Sequence, residues 1–370
     1  MVRNTHIDRI LLTIVILLVV CGFFIFSSAS LGLLARDGAK FSSVAFNQAV
    51  FGILGGFVSM FVLSRIYYRN WRKLAFYIFI TTLLLTTAVF IPGLGYEHGG
   101  AHRWIEIGGF SFQPSELLKI AFVIYMATWF SGMQKYVTTF LNGTLPFAIL
   151  VGIVGILLLL QPDTDTFLIM AGSGAAMFIT AGGKWRDILI LALTSILLLA
   201  VLAFIRPYIM DRLLGFFDPT LDPLGSNYQV QQSLIAVGSG GLYGRGFGQS
   251  IQKFEYLPEP IGDSVFAVYA EEFGFIGTVF LILLFAGFVF RGYRIATHAP
   301  DQFGMLLVVG FVTLVISQAL LNMAAMVALL PMIGLPLPFI SHGGTALLAT
   351  LASIGIILNV SKFQKNKAGA

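Results

Sequence analysis

The sequence is poor in nearly everything that marks a soluble enzyme. One cysteine, Cys21, stands among 370 residues, so no disulfide framework, CxxC pair or zinc-ligand pattern is open to the chain. Charged residues make up only 11% of it, against about 25% in soluble globular domains. The histidines His6, His98, His102, His298 and His342 are scattered. Only His98 and His102 have metal-like spacing, and they fall in the Gly-broken stretch GYEHGGAHRW, which reads as a loop. A dinucleotide fingerprint is missing too: the six glycines between Gly238 and Gly248 do not fit G-x-G-x-x-G, and no strand–helix unit surrounds them. The net charge of +5 calls for no nucleic-acid partner in a chain of this kind.

What fills the space is apolar. Hydrophobic residues are 57% of the chain, in runs at Ile10–Phe26 and at about 44–63, 74–91, 115–131, 145–160, 167–181, 188–205, 264–290, 303–330 and 340–360. The expectation is an all-α polytopic membrane protein, one domain over 1–370 with ten transmembrane helices. The small residues Ser27 to Ser30 after the first run resemble a cleavage site. That run, however, is longer than a usual signal core of about 7–15 residues, which favours a retained helix. An even number of spans puts both termini on one side. Fourteen Lys and Arg fall on the N-terminal side, from Arg3 and Arg9 to Lys365 and Lys367. Only Arg36, Lys40 and Arg103 fall in the short loops opposite, so both termini are expected in the cytosol. The sequon Asn142-Gly143-Thr144 then faces the cytosol and carries no weight. Gly52 with Gly56, and Gly172 with Gly174, suit close helix packing.

One long extracytoplasmic loop, about 206–262 between helices 7 and 8, leads into LPEPIGDSVFAVYAEEFGFIG (257–277). Asp263 stands where that helix leaves water, and Glu271 and Glu272 lie roughly 12 Å deeper at ~1.5 Å per residue. Carboxylates at membrane depth mark a pathway, a partner or a reaction. Asp263 would also serve as a simple helix N-cap. The Gly-rich turn around Arg245 suits either an anion-binding nest or a tight re-entrant turn at the membrane surface. Glu116 and Lys119 share one helix face, as an intrahelical pair or as a cavity wall. In QPDTDT, Asp163 and Asp165 cap a turn, although two carboxylates plus Gln161 exceed what one turn needs.

Five long motifs occur in one order: AHRWIEIGGFSFQPSELLK, QPDTDT, FFDPTLDPLGSNYQVQQSLIAVGSGGLYGRGFGQS, YLPEPIGDSVFAVYAEEFGFIG and LPLPFISHGGTALLATLASIGIILN. In these the chain resembles, from about residue 7 to 361, the SEDS proteins of shape, elongation, division and sporulation. IPGLGYEHGGAHRWIEIGGFSFQPSELL and ATLASIGIILNVSK look most like the division branch, FtsW. The resemblance implies ten helices, a cavity open to the outer leaflet, and polymerisation of lipid II into glycan. Asp263 matches the family's essential aspartate. Glu116 and Lys119 match its PSE-x-x-K pair, Asp163 its QPD aspartate, Arg103 the arginine before Trp, and Ser341 with Gly343 its S-x-GG turn. Departures are Ile261-Gly262 for the usual His-Thr or His-Asn, Ser264 for an aromatic, Asp165 for a glycine and His342 for a common tyrosine.

The expected reaction uses Asp263 as general base on a sugar hydroxyl. Positive charge from Arg103, Lys119, Arg245 or a bound divalent cation, Mg or Mn, would meet the departing diphosphate, with no organic cofactor. A lipid II flippase or transporter, or a non-catalytic scaffold of the wall-synthesis complex, are the rival readings. Expected partners are the undecaprenyl-diphosphate-linked glycan and a class B penicillin-binding protein. The chain itself lacks the S-x-x-K and K-T-G set of a transpeptidase. Other divisome or elongasome membrane proteins, in a bacterial plasma membrane, complete the expectation.

Overall fold

Helices apolar on every side have no solvent face to offer, so they pack into a bundle whose outer surface is as hydrophobic as its inside. The computed structural model describes residues 7–36, 38–98, 101–107, 110–205, 210, 215–217, 227–254 and 256–364. Most of 206–226, and with it the first part of the expected long loop, lies outside the described residues, as do Arg3, Lys365 and Lys367.

The elements in order are α1 (Arg9–Arg36), α2 (Gly38–Phe46), a π-helical stretch (Asn47–Gly55), α3 (Gly56–Arg65) and α4 (Arg69–Thr87). Strands β1 (Gly95–His98), β2 (Ala101–Ile107) and β3 (Phe110–Phe112) follow, then α5 (Pro114–Gly132), α6 (Leu145–Leu160), α7 (Thr164–Thr180) and α8 (Trp185–Ile205). The last four are α9 (Tyr228–Ser239), α10 (Val265–Thr297), α11 (Gln302–Met326) and α12 (Gly344–Ser361). A helix occupies each of the ten expected apolar runs. Among the described residues seven are long and apolar enough to cross a membrane. The short α7 misses on length, and α5 carries Glu116 and Lys119 in its first turns.

α11 and α12 form the centre, with 67% and 72% of their apolar windows buried, against 22% for α4 and α10. α11 touches α5, α7, α10 and α12, while α12 lies along α3 and the π-helical stretch. Gly52 and Gly56 meet Leu347 and Leu351 of α12, and Gly174 meets Phe122 and Phe147; Gly172 faces open space. The expected small-residue contacts therefore form at three of four positions.

The all-α expectation needs one correction. GYEHGGAHRW is no loop: β1, β2 and β3 make a three-stranded antiparallel sheet, with Tyr96 opposite Trp104 and Ile105 opposite Phe112. In the sequence Gly99-Gly100 falls between β1 and β2 and Gly108-Gly109 between β2 and β3, the composition that two-residue hairpin turns favour. Ile105, 3% exposed, anchors the sheet to the bundle. α1 also runs ten residues past its expected end, so Ser27 to Ser30 sit within a helix.

α10 is broken at Gly274 (φ 62°, ψ −162°), a conformation closed to residues with a Cβ. The Gly-rich turn repairs the break. Phe275 N and Ile276 N donate to Gly241 O and Leu242 O at 2.9 and 3.1 Å, and Arg245 N and Gly246 N donate to Glu271 O and Glu272 O at 2.9 and 3.0 Å. Four backbone groups at the kink thereby find partners, as membrane depth demands.

The same turn receives the two glutamates, which are 0% and 2% exposed. Glu271 accepts from Ile251 N at 3.1 Å and Gln252 N at 3.3 Å and pairs with Arg245 Nε at 3.3 Å. Glu272 accepts from Gly248 N at 3.0 Å, from Ser28 of α1, and from Lys253 Nζ at 2.8 Å. The turn is thus an anion nest, but its anions are the chain's own carboxylates. Arg245 is likewise engaged by Glu271 and by Ser239 Oγ at 3.3 Å.

Lys253 is 1% exposed, and its removal leaves the Glu272 charge buried and uncompensated. Lys253→Met should cost about 3–5 kcal/mol, read as a lower midpoint of thermal unfolding in detergent. Arg245→Met, at a side chain 38% exposed, should cost less.

Candidate functional site

The connector between α11 and α12 (327–343) cannot be helical, because Pro331, Pro336 and Pro338 remove donors and fix φ. Its backbone groups are instead met, one by one, by buried polar side chains. Asp165 Oδ2 accepts from Gly334 N at 2.9 Å. Asn322 Nδ2 donates to Leu335 O at 2.7 Å, Gln318 Nε2 donates to Pro336 O at 2.7 Å, and Ser341 Oγ accepts from Leu337 N at 2.7 Å.

These side chains also reach the residues singled out from the sequence. Asn322 Nδ2 donates a second time, to Asp263 O at 2.8 Å. Ser341 Oγ donates to Gly262 O at 2.7 Å, and His342 N donates to Ile261 O at 2.7 Å. Three successive carbonyls, 261 to 263, are therefore fixed by α11 and the connector. Asp263 is partly exposed at the head of α10. The N-cap position belongs to Ser264, one residue later, so the simple cap reading does not fall on Asp263. A Cβ on Gly334 would stand 3.4 Å from Asp263 Oδ2 and 3.6 Å from Asp165 Oδ2, so both carboxylates converge on that glycine.

Glu116 and Lys119 are each 4% exposed. Lys119 Nζ binds Glu116 Oε1 at 2.8 Å and Gln318 Oε1 at 3.2 Å. The pair is intrahelical, as the first of the two readings has it, and it also orients the amide that grips the connector. Asp163 caps α7, accepting from Thr166 N at 3.4 Å. Arg103 on β2 lies 4.0 Å from Asp163 Oδ1 and donates to the carbonyls of Gln161 (3.2 Å) and Pro162. Gly343 N donates to Gln48 Oε1 at 3.1 Å, which places the π-helical stretch behind the turn.

The structure thus gathers Asp263, Ser341, Gly343, Glu116 and Lys119 around one connector, and ties Arg103 and Asp163 to it through Asp165 in the first turn of α7. Arg245 belongs to the separate Glu271 cluster. The sequence reading passed over Asn322, Gln318, Gln48 and Lys253. Gln318 and Asn322 stand four apart within an apolar run, which puts two amides on one helix face and was the available signal.

Among the described residues no group of three or more His, Cys, Asp or Glu side chains is placed to hold a metal ion.

The matching family model, "Cell cycle protein" (FtsW, RodA and SpoVE), covers residues 8–366. The chain belongs to the FtsW, RodA and SpoVE family. Stage V sporulation protein E of Bacillus subtilis is 36% identical over 98% of this chain and 99% of its own length. A Geobacter metallireducens protein named "Probable peptidoglycan glycosyltransferase FtsW" is 39% identical over 97% of this chain and 95% of its own. Among solved structures, a chain of a peptidoglycan synthase complex superposes with TM-score 0.79 at 27% identity, covering 97% of this chain and 98% of that one. RodA of Thermus thermophilus gives 0.70 at 28% identity, with 98% of each chain covered. With the apolar helices, membership of this FtsW, RodA and SpoVE family makes the chain a multi-pass membrane protein.

His342, in the connector, links stability to pH. Its ring stacks on Phe26 with centroids 6.0 Å apart, and burial holds its imidazole down at about 4. Above the ordinary value of 6.5 the folded and unfolded chains are both neutral there, and stability is whole. As pH falls from 6.5 towards about 4, only the unfolded chain takes up the proton, and stability is lost across that window. His342→Phe should flatten this part of the dependence, measured as unfolding midpoint against pH.

Proposed function

We propose that this chain is a peptidoglycan glycosyltransferase that polymerises lipid II into glycan strands on the outer face of a bacterial plasma membrane. The observation that carries the reading is Asp263: a partly exposed carboxylate at a helix head, its backbone fixed through three consecutive carbonyls. The relatives' names support the activity, since one is named a probable peptidoglycan glycosyltransferase and one solved neighbour belongs to a peptidoglycan synthase complex. Ten spans with both termini in the cytosol are part of the proposal. They are supported by a helix at each of ten apolar runs and by the skew of Lys and Arg.

In the proposed step the acceptor hydroxyl gives its proton to the Asp263 carboxylate while its oxygen bonds to the anomeric carbon of the donor. The electron pair of the breaking C–O bond leaves with the lipid diphosphate, so an α-linked donor becomes a β-linked product in one inverting displacement. Arg103, at the rim on β2 and 4.0 Å from Asp163, is the cation we assign to the diphosphate. Lys119 acts one layer back, through Gln318. The lipid tail stays in the bilayer beside the bundle.

A flippase would use the same buried charges, and one assay separates the two. Purified protein with lipid II should yield polymer, and Asp263→Asn should abolish it while leaving the unfolding midpoint in place, because the cap position is Ser264. Polymer at the wild-type rate from that variant would take Asp263 out of the mechanism. Lipid translocation without polymer from the wild type would favour the flippase.

The partner we propose is a class B penicillin-binding protein, with other divisome or elongasome proteins around it. The solved neighbour described for coordinating polymerization with crosslinking supports the pairing. Reconstitution with the matching transpeptidase should bring co-purification and a faster polymerisation rate. Neither effect across a panel of such partners would sink the pairing.

A further inference from the structure

Asp165 has no place in the reaction just described, yet it is 5% exposed and its carboxylate converges with that of Asp263 on Gly334. A carboxylate in the first turn of α7 is suited to that helix's N-terminus, which accounts for its position in the sequence but not for its bond to another segment. Oδ2 accepts from Gly334 N, the first of four connector groups held in succession at 334, 335, 336 and 337. The second, Leu335 O, shares its donor with Asp263 O: the single nitrogen Asn322 Nδ2 serves both, at 2.7 and 2.8 Å. Asn322 is 0% exposed, and its bond to Leu335 O is buried, where the loss of a partner is costly. Displacement of the connector at Gly334 therefore moves the surface against the Asp263 carboxylate, and displacement at Leu335 competes for the donor that fixes Asp263's own backbone.

We infer that Asp165 and Asn322 are positioning residues for Asp263, acting through the connector segment 334–337 and touching neither sugar nor diphosphate. Asp165 does so as a hydrogen-bond acceptor for Gly334, and its negative charge is not what the site uses. This rests on the reading of Asp263 as the base, and the experiment keeps the two apart.

The measurement is steady-state polymerisation of lipid II by the full-length protein in detergent or vesicles, with kcat and KM resolved. The variants are Asp165→Ala, Asp165→Asn and Asn322→Leu, with Asp263→Asn beside them. A base displaced by a fraction of an ångström loses rate and not ground-state affinity. Asp165→Ala and Asn322→Leu should each lower kcat by about tenfold or more, with KM held within about twofold. Asp165→Asn keeps a carbonyl oxygen for Gly334 N and should restore kcat to within about threefold of wild type. Should Asp165→Ala or Asn322→Leu fail to purify as a monodisperse species, Gln318→Met, which frees the Pro336 carbonyl, is read in its place. Unchanged kcat in the alanine and leucine variants beside an inactive Asp263→Asn overturns this inference alone. Asp165→Asn as slow as Asp165→Ala also overturns it, since charge would then be what matters. An active Asp263→Asn overturns the reading beneath it.

Discussion

A backbone that leaves helical geometry inside a membrane must find a partner for every N–H and C=O, because hydrocarbon offers none. That constraint organises this protein. It breaks regular helix at two places near the site, at Gly274 and along 327–343, and each break is met by side chains or loop backbone brought from elsewhere in the chain. Buried amides and carboxylates that would be costly in isolation are the means of repair: Asn322, Gln318, Asp165 and Ser341 at the connector, Lys253 and the Gly-rich turn at the kink. Loss of one partner strands the other in a medium where a lone polar group costs on the order of 1–3 kcal/mol.

The buried charges follow the same rule. Lys119 with Glu116, Lys253 with Glu272 and Arg245 with Glu271 bring each carboxylate a cation within 3.3 Å. Arg103 and Asp163 are looser, at 4.0 Å, with Asp163 as buried as the others and Arg103 partly exposed. Lys253 ties α10 to the Gly-rich turn and, through Ser28, to α1, while Lys119 ties α5 to α11 through Gln318.

Charge made much of the site legible in advance. Asp263, Glu116, Lys119 and Asp163 stand out because ionised groups are rare within apolar runs, and the structure brings all four to one connector or its edge. Asn322 and Gln318 were passed over because a neutral amide in a helix is tolerated in many settings, and nothing local says which carbonyl it will face. Lys253 was invisible as the partner of Glu272, since the match depends on how the Gly-rich turn folds back over the kink. Apolar content read 303–330 and 340–360 as helices at the right places. The prolines between them marked a break without saying that it would serve as the spine of the site. The Gly-Gly pair at 99–100 did carry a hairpin signal, overridden by the expectation that a stretch so broken by glycine is loop.

The helices at the middle of the bundle, α11 and α12, leave the ribosome after α1 to α10. Synthesis runs from the N-terminus, so α5 enters the membrane with Lys119 and Glu116 already paired but with Gln318 still nearly two hundred residues away. Helices α1 to α10 must stand around an empty axis until Gln302–Ser361 arrives to fill it. Assembly is therefore vectorial: the groups that hold the backbone of Asp263 and those that complete the core arrive in the same segment. A chain interrupted before that segment would carry Asp263 and the Lys119–Glu116 pair without the spine that joins them.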